Sequence, residues 1–262
     1  MKYAIESFGV AVDVEVQHRC MRADCGSGKL AEQVCALLPP GYTDRDARVT
    51  PKSSFLVECR GLEMVIIELG QVIAEGPNSH GEVLHVLDGA IRSVVAQHAP
   101  GLVFVHAGVV AIDGVAIVFP GRSMAGKTTL VESLVRSGAL YLSDEYAVFD
   151  SEGMVHPYPR RLSIRGPQRS EVHVESIGGT SATGPMPVGL VAAIAYRSGA
   201  TWSVHDQSAS SCALALIDNA IAAQSRSSEV LKVASAVARD ARCVAGERGE
   251  VKDSTVQITR LL

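Results

Sequence analysis

The sequence has few aromatic residues and no excess of positive charge. Aromatic side chains make up 5% of the 262 residues, with a single tryptophan, and the formal net charge is −4. Proteins that bind nucleic acids usually carry a basic surplus or stripe, and single-strand binders also use aromatic platforms on which bases stack. The composition therefore argues against a nucleic acid as partner.

Long apolar runs and closely paired cysteines are missing as well. No apolar stretch approaches the ~18 residues needed to cross a bilayer, and the first residues show no signal-peptide pattern. The six cysteines, at positions 20, 25, 35, 59, 212 and 243, form no C-x-x-C pair. Scattered thiols of this kind are typical of a reducing compartment rather than of a disulfide framework. We therefore expect a cytoplasmic protein that does not bind a membrane.

The remaining composition and patterning indicate an α/β protein in two parts. The hydrophobic share of 47% and the charged share of 20% are those of an ordinary globular chain. Residues 1–98 contain strand-like runs, three of them in an antiparallel meander, and two helices. A linker is expected near Pro100-Gly101, so we predict an N-terminal α/β portion over 1–98 packed on a core over 99–262. Predicted core strands are 102–106, 109–112, 115–119, 139–142 and 188–196, and predicted helices follow Lys127 and cover 210–221 and 229–238.

One run of the core fills every fixed position of the phosphate-binding loop G-x-x-x-x-G-K-[ST]. An apolar, β-branched run over 115–119 precedes it, and a helical pattern follows, which is the context that the motif requires. The glycines let backbone N–H groups turn toward an anion, the lysine supplies charge for the β- and γ-phosphates, and the threonine hydroxyl suits Mg²⁺. The alternative is a chance glycine turn before a helix. The candidate nucleotide-binding residues are Gly121, Arg122, Ser123, Met124, Ala125, Gly126, Lys127, Thr128 and Thr129.

Two adjacent acids follow the strand after the loop's helix. Asp144 and Glu145 begin 17 residues after Lys127, where a parallel β-α-β unit would bring them beside the loop. One carboxylate can hold Mg²⁺ together with Thr128, and the other can accept the proton of an incoming hydroxyl. Two acids that end a strand in solvent would give the same pattern.

His106 precedes the loop by 15 residues, after an apolar run. A lone histidine there is more often a core or turn residue than a proton relay. In combination, His106-Ala107-Gly108-Val109, the phosphate loop, Arg136-Ser137-Gly138 and Leu142-Ser143-Asp144-Glu145 resemble the catalytic domain of the HPr kinase/phosphorylase family, a relative of ATP-dependent phosphoenolpyruvate carboxykinase. The resemblance covers about Val103–Asp150 and implies a P-loop kinase core with a mixed central sheet.

The resemblance also implies an activity: ATP-dependent transfer of phosphate to a serine hydroxyl, with Mg²⁺. By it, Asp144 is the catalytic base, His106 assists its proton handling, and Lys127 acts on the phosphates. Asp144, Glu145 and Thr128 would be the metal ligands. The second acid is Glu145 where the family usually has aspartate, and residues 1–100 do not look like its regulatory domain. The chain is more similar to divergent HPr-kinase-related proteins, some of which accompany peptide natural-product clusters and phosphorylate a precursor peptide.

The expected partner is thus a protein or peptide substrate with an acceptor serine, and the family's ring-shaped oligomers leave room for a homo-oligomer. Arg160 and Arg165 are candidates for binding the transferred phosphate, because a guanidinium fork suits its oxygens; an exposed basic turn is the alternative. Three other activities remain open: a kinase for a small-molecule hydroxyl, a nucleotide-dependent binding module without catalysis, and a carboxykinase.

Overall fold

The computed structural model describes residues 1–18, 27–77, 81–121, 126–164 and 170–262. These residues form a mixed α/β protein with two compact units, Met1–Pro100 and Gly101–Leu262. Among the described residues, no helix combines the length and apolarity needed to span a membrane.

The first unit is a six-stranded sheet with two helices. Its elements are β1 (Lys2–Ser7), β2 (Val10–His18), α1 (Ser27–Leu37), β3 (Thr43–Asp44), β4 (Ser53–Arg60), β5 (Glu63–Glu68), β6 (Gln71–Pro77) and α2 (Glu82–His98). The strand order is β3-β1-β2-β4-β5-β6, in which β2 and β4 are parallel and the other pairs antiparallel. The predicted meander is present as β4, β5 and β6. Helix α2 buries Leu87, Ile91 and Val95 on the sheet.

The second unit contains the remaining strands. They are β7 (Val103–Ile112), β8 (Val115–Pro120), β9 (Leu140–Ser143), β10 (Tyr146–Phe149), β11 (Val155–His156), β12 (Leu162–Ile164), β13 (Ser170–Val172), β14 (Val188–Tyr196), β15 (Ser203–Asp206) and β16 (Arg242–Arg248). The main sheet has the order β11-β10-β7-β8-β14-β16-β15, with β9 also paired to β7, while β12 and β13 form a separate hairpin. Strands β8, β14 and β16 are parallel, so their carboxyl ends share one edge.

Helices cover both faces of this sheet, which is the layered arrangement of α/β domains. They are α3 (Lys127–Arg136), α4 (Ala209–Ile217), α5 (Ser227–Asp240) and α6 (Val251–Thr259), with a 3-10 turn at Val174–Ile177. The apolar side chains of β7 that point one way, such as Val105 and Val109, share a core with α4 and α5. Val110 shares the opposite core with Leu130 of α3 and Ile258 of α6.

Several elements differ from the sequence predictions. Residues 102–106 and 109–112 were expected as two strands, but β7 continues through Ala107 and Gly108, because both fit into close packing within the sheet. Helix α4 ends at Ile217 rather than near 221. Strand β16, helix α6 and the β12–β13 hairpin had no counterpart in the sequence reading.

The cysteines also differ from expectation. Cys212 of α4 and Cys243 of β16 form a disulfide, which pins the helix to the sheet. Cys35 is half-buried and Cys59 is buried, and neither is in a disulfide. The spacing of the cysteines did not predict this disulfide, because the fold brings together two positions that are 31 apart in the sequence.

Candidate functional site

Strand β7 joins the two predicted halves of the site. On one side it pairs with β8, and the first residue of the phosphate loop, Gly121, donates its backbone N–H to the carbonyl of His106 at 3.1 Å. On the other side, β9 and β10 follow each other along β7. Asp144 and Glu145 occupy the break between them, and the Ala107 N–H donates to the Glu145 carbonyl at 3.2 Å. One strand therefore sets the distance from the loop to the acids.

The loop returns to a helix through a left-handed glycine. Gly126 has a φ of 78°, a conformation that residues with a Cβ rarely adopt. Helix α3 starts at the next residue, and the Lys127 Nζ donates to the Gly121 carbonyl at 2.7 Å. The lysine thus bridges the two ends of the loop and places its ammonium group at the positive end of the helix dipole.

Gly108 explains how close α3 can come to β7. A Cβ built at Gly108 would lie 2.7 Å from Val131 Cγ2 and 3.5 Å from Lys127 Cβ. Since real Cβ atoms do not approach carbon atoms to 2.7 Å, any larger residue would push the helix away from the strand. The missing side chain lets the first turn of α3 lie over the centre of the site.

Asp144 lies at the foot of this turn, and only 8% of it is exposed. Its carboxylate accepts hydrogen bonds from the Thr128 side chain and the Ser163 backbone, and the Tyr141 hydroxyl lies 3.1 Å from its Oδ1. Burial raises the pKa of Asp144, and the charge of Glu145 adds to that; the hydrogen bonds oppose the rise without cancelling it. A carboxylate with a raised pKa is a better proton acceptor than an exposed one.

His106 and Glu145 are more accessible than Asp144. The His106 Nδ1 lies 3.7 Å from the Glu145 Oε1, and both side chains are 33% exposed. The His106 ring also packs against Tyr146, with ring centroids 5.0 Å apart. The histidine thus faces the second acid of the pair at the rim of the site.

Of the two arginines predicted to bind the transferred phosphate, only Arg160 lies within the described residues. The backbone carbonyl of Arg160 lies 3.0 Å from the Tyr141 hydroxyl, the same hydroxyl that contacts Asp144, so this residue belongs to the neighbourhood of the base. Thr129 lies on the exposed side of the first turn of α3. Four predicted loop residues and the second arginine lie outside the described residues: Arg122, Ser123, Met124, Ala125 and Arg165.

Arg248 is a residue of this region that sequence reasoning missed. It ends β16, is 2% exposed, and its Nη2 donates to the Gly126 carbonyl at 2.9 Å. Its guanidinium also lies over the Tyr196 ring at 5.3 Å. The short apolar run Cys243-Val244-Ala245 was the available signal for a strand, and no motif marked the arginine at its end.

The donor atoms near the loop suit a hard cation. Mg²⁺ prefers oxygen ligands and usually takes one or two carboxylates together with waters and phosphates. The hydroxyl of Thr128 and the carboxylate of Asp144 are such oxygens and are already in contact. Among the residues that the structure describes, no group of three or more His, Cys, Asp or Glu side chains could hold a metal ion by itself.

The structure thus brings Gly121, Lys127, Thr128, His106 and the acid pair into one region of the second unit. Comparison of the sequence with models of protein families and with curated proteins gave no match.

Proposed function

We propose that this protein is an ATP-dependent kinase that transfers the γ-phosphate to a serine hydroxyl of a protein or peptide. The observation that carries the proposal is the contact between Thr128 and Asp144. Thr128 follows the lysine of the phosphate-loop motif, and Asp144 is the most buried acid nearby. A base that touches the loop's own helix is within reach of a hydroxyl that approaches a phosphate held there.

In this mechanism Lys127 and Thr128 would hold the phosphates of ATP, and Thr128 with the acid pair would hold Mg²⁺, which would supply positive charge to the transferred group. Asp144 accepts the proton of the serine hydroxyl while the serine oxygen forms a bond to the γ-phosphorus. The bond from that phosphorus to the bridging oxygen of ADP breaks, and ADP leaves with the electron pair. His106 assists the proton handling of Asp144 through Glu145, whose Oε1 lies 3.7 Å from the His106 Nδ1. The proton taken up by Asp144 leaves to solvent at this rim.

Two parts of the proposal, the type of P-loop core and the phosphate acceptor, rest on the sequence resemblance. The order of histidine, loop and acids supports an HPr kinase/phosphoenolpyruvate carboxykinase type of P-loop core, and the mixed sheet with β7 between β8 and the acids is compatible with it. The choice of serine, and of a peptide rather than a small molecule, rests on the similarity to the divergent members that phosphorylate peptides. ATP as co-substrate also supports a cytoplasmic location.

The test is phosphoryl transfer by the purified protein with MgATP and a panel of serine peptides, free serine and sugars. We expect an acid-stable, base-labile phosphoester on a peptide. Asp144→Asn should reduce transfer by about 10²- to 10⁴-fold at saturating MgATP, because the amide cannot accept the proton. Asp113→Asn is the matched control, since Asp113 lies in the exposed β7–β8 turn at a φ of 51°, which asparagine tolerates.

Three results would contradict the proposal in different ways. Unchanged transfer in Asp144→Asn would refute the role of the base. Transfer to free serine or a sugar alone would make the protein a small-molecule kinase. Binding of ATP without transfer to any acceptor, with no effect of His106→Ala, would indicate a nucleotide-dependent binding module.

A further inference from the structure

Arg248 is a buried cation with no acidic partner in the part of the chain that the structure describes. The residue is 2% exposed, yet no carboxylate of the described residues lies within ion-pair distance of its guanidinium, and Glu250 acts on it only from farther away. Taking a charge out of water without a counter-charge is costly. Burial accordingly lowers the pKa of Arg248 below its usual range. The folded chain carries this cost at a specific place.

That place is the end of the phosphate loop. The Nη2 of Arg248 donates to the Gly126 carbonyl at 2.9 Å, and Nη1 donates to the Gly249 carbonyl at 3.2 Å. The Nε has no hydrogen-bond partner among the described residues. A Cβ at Gly126 would lie 2.7 Å from Nη2, so only glycine lets the guanidinium come this close to the loop.

Sheet topology accounts for the position. Strands β8, β14 and β16 are parallel, so the loop after β8, Tyr196 at the end of β14 and Arg248 at the end of β16 share one edge. Tyr196 lies under the guanidinium at 5.3 Å and donates its hydroxyl to Glu250 at 3.2 Å. A tyrosine face offsets part of the cost of a buried cation, while the acid is engaged elsewhere. No contacting carboxylate of the described residues therefore neutralises the positive charge, which lies one hydrogen bond from the Gly126 carbonyl of the loop.

We infer that Arg248 supplies a second positive charge to the phosphate loop, beside Lys127, and helps to hold the polyphosphate chain of the nucleotide. The inference rests on the proposed function in one respect, since it takes the anion to be the phosphates of ATP. Lys127 acts from the helix side through its contact with Gly121, and Arg248 acts from the strand side through Gly126. The loop would then bind its anion between two cations, which explains why an arginine is kept buried there.

The competing explanation is that Arg248 only ties two backbone carbonyls together. A purely structural link between carbonyls needs hydrogen-bond donors but no charge. Two substitutions therefore distinguish a structural role of Arg248 from a role in binding the anion. Arg248→Gln keeps an N–H donor and loses the charge, whereas Arg248→Lys keeps the charge and loses the planar fork. Arg242→Gln is the matched control, because Arg242 starts the same strand, is exposed, and pairs with Asp206 at 2.8 Å.

The experiment measures the dissociation constants of ATP, ADP and inorganic tripolyphosphate by calorimetry with Mg²⁺, for the full chain and the three variants. Thermal unfolding without ligand confirms that each variant folds. We expect Arg248→Gln to weaken ATP and tripolyphosphate by about tenfold or more, and ADP by less, because the lost attraction scales with the ligand's charge. Arg248→Lys should stay within a few-fold of the unmodified chain, and Arg242→Gln should not change.

Each other outcome has a definite meaning. Equal losses in Arg248→Gln and Arg248→Lys, or none in either, would overturn the inference, as would an unmodified chain that binds no polyphosphate. If binding follows the expected pattern but no acceptor is phosphorylated, the inference stands and the kinase proposal fails. If Asp144→Asn abolishes transfer while Arg248→Gln binds ATP normally, the kinase proposal stands and the inference fails.

Discussion

At the scale of single residues, Tyr141 connects the parts of the site. Its hydroxyl lies 3.1 Å from the Asp144 Oδ1 and 3.0 Å from the Arg160 carbonyl, and its ring is fully buried. A tyrosine at this position was predicted only as part of a strand. Its hydrogen bond stabilises the charged form of Asp144, and so it tunes the proposed base without taking part in the transfer.

Tyr141→Phe should therefore shift the pH dependence of transfer. Without the hydroxyl, the pKa of Asp144 rises further, because one hydrogen bond to the carboxylate is lost. The acid limb of kcat/KM should move to higher pH. Tyr3→Phe is the control, since the Tyr3 hydroxyl donates within the first unit, to the Ala31 carbonyl at 2.8 Å. An unshifted limb would show that Tyr141 does not act on the base.

The raised pKa of Asp144 also predicts the pH dependence of stability without nucleotide and Mg²⁺. A carboxyl group whose pKa is higher in the folded protein contributes stability at low pH, and this is lost as pH rises through the folded pKa. Asparagine does not titrate. The free energy of unfolding of Asp144→Asn, relative to the unmodified chain, should therefore increase from about pH 4 toward neutrality.

Asp150 provides a control of opposite sign for that titration. Burial raises its pKa, but hydrogen bonds from His156 and from backbone groups outweigh this, and the net pKa is lowered. Its stabilising effect is present above its unfolded pKa and lost as pH falls. The free energy of unfolding of Asp150→Asn, relative to the unmodified chain, should therefore decrease as pH rises. Urea unfolding at several pH values measures both, and parallel trends in the two variants would contradict the assignment.

At the scale of elements, the approach of α3 to β7 is the packing on which the site depends. Gly108→Ala should displace the helix and reduce stability by roughly 1–3 kcal/mol, the usual range for overpacking. Transfer should fall as well, because Lys127 and Thr128 move with the helix. Gly184→Ala is the matched control, as a Cβ there meets nothing within 4 Å. Equal effects in the two variants, by thermal unfolding and kinase assay, would rule out this account.

The Cys212–Cys243 disulfide links α4 to β16, the strand that ends in Arg248. Closing a loop of 31 residues is worth about 3–4 kcal/mol in the chain-entropy account. Reduction should therefore lower Tm by about 6–16 °C. A Cys212→Ala/Cys243→Ala variant should show a smaller change in Tm when reductant is added. Disulfides are rare in a reducing cytoplasm, so mass spectrometry of the protein from cells would test the proposed location as well.

Sequence patterns predicted the parts of this unit whose signals are local. The loop motif with its flanking strand and helix, and the acids after β9, depend on short-range pattern and spacing. The continuity of β7 was missed because Ala107 and Gly108 interrupt an apolar run. Arg248 was missed for another reason: its importance comes from strand order, which places residues 122 positions apart in contact, and no local pattern encodes that.

At the scale of the whole molecule, the proposed chemistry lies within one unit. The residues assigned to phosphate binding, proton transfer and the second cation all belong to Gly101–Leu262. A fragment of residues 101–262 should fold and bind MgATP with an affinity within about tenfold of the full chain, measured by calorimetry. Loss of binding in a folded fragment would place part of the nucleotide site in the first unit.

Strand β7 has a consequence for how the sequence can vary. His106 lies in this strand, and the loop and the acid pair keep their places by pairing with it, so the spacing of all three depends on strand register. Added or deleted residues in the turns at 113–114 or 151–153 would leave the register unchanged. A single residue inserted between His106 and Val109 would change the register between β7 and the strands that pair with it. The base would then be separated from the phosphates, although no chemical group had been altered.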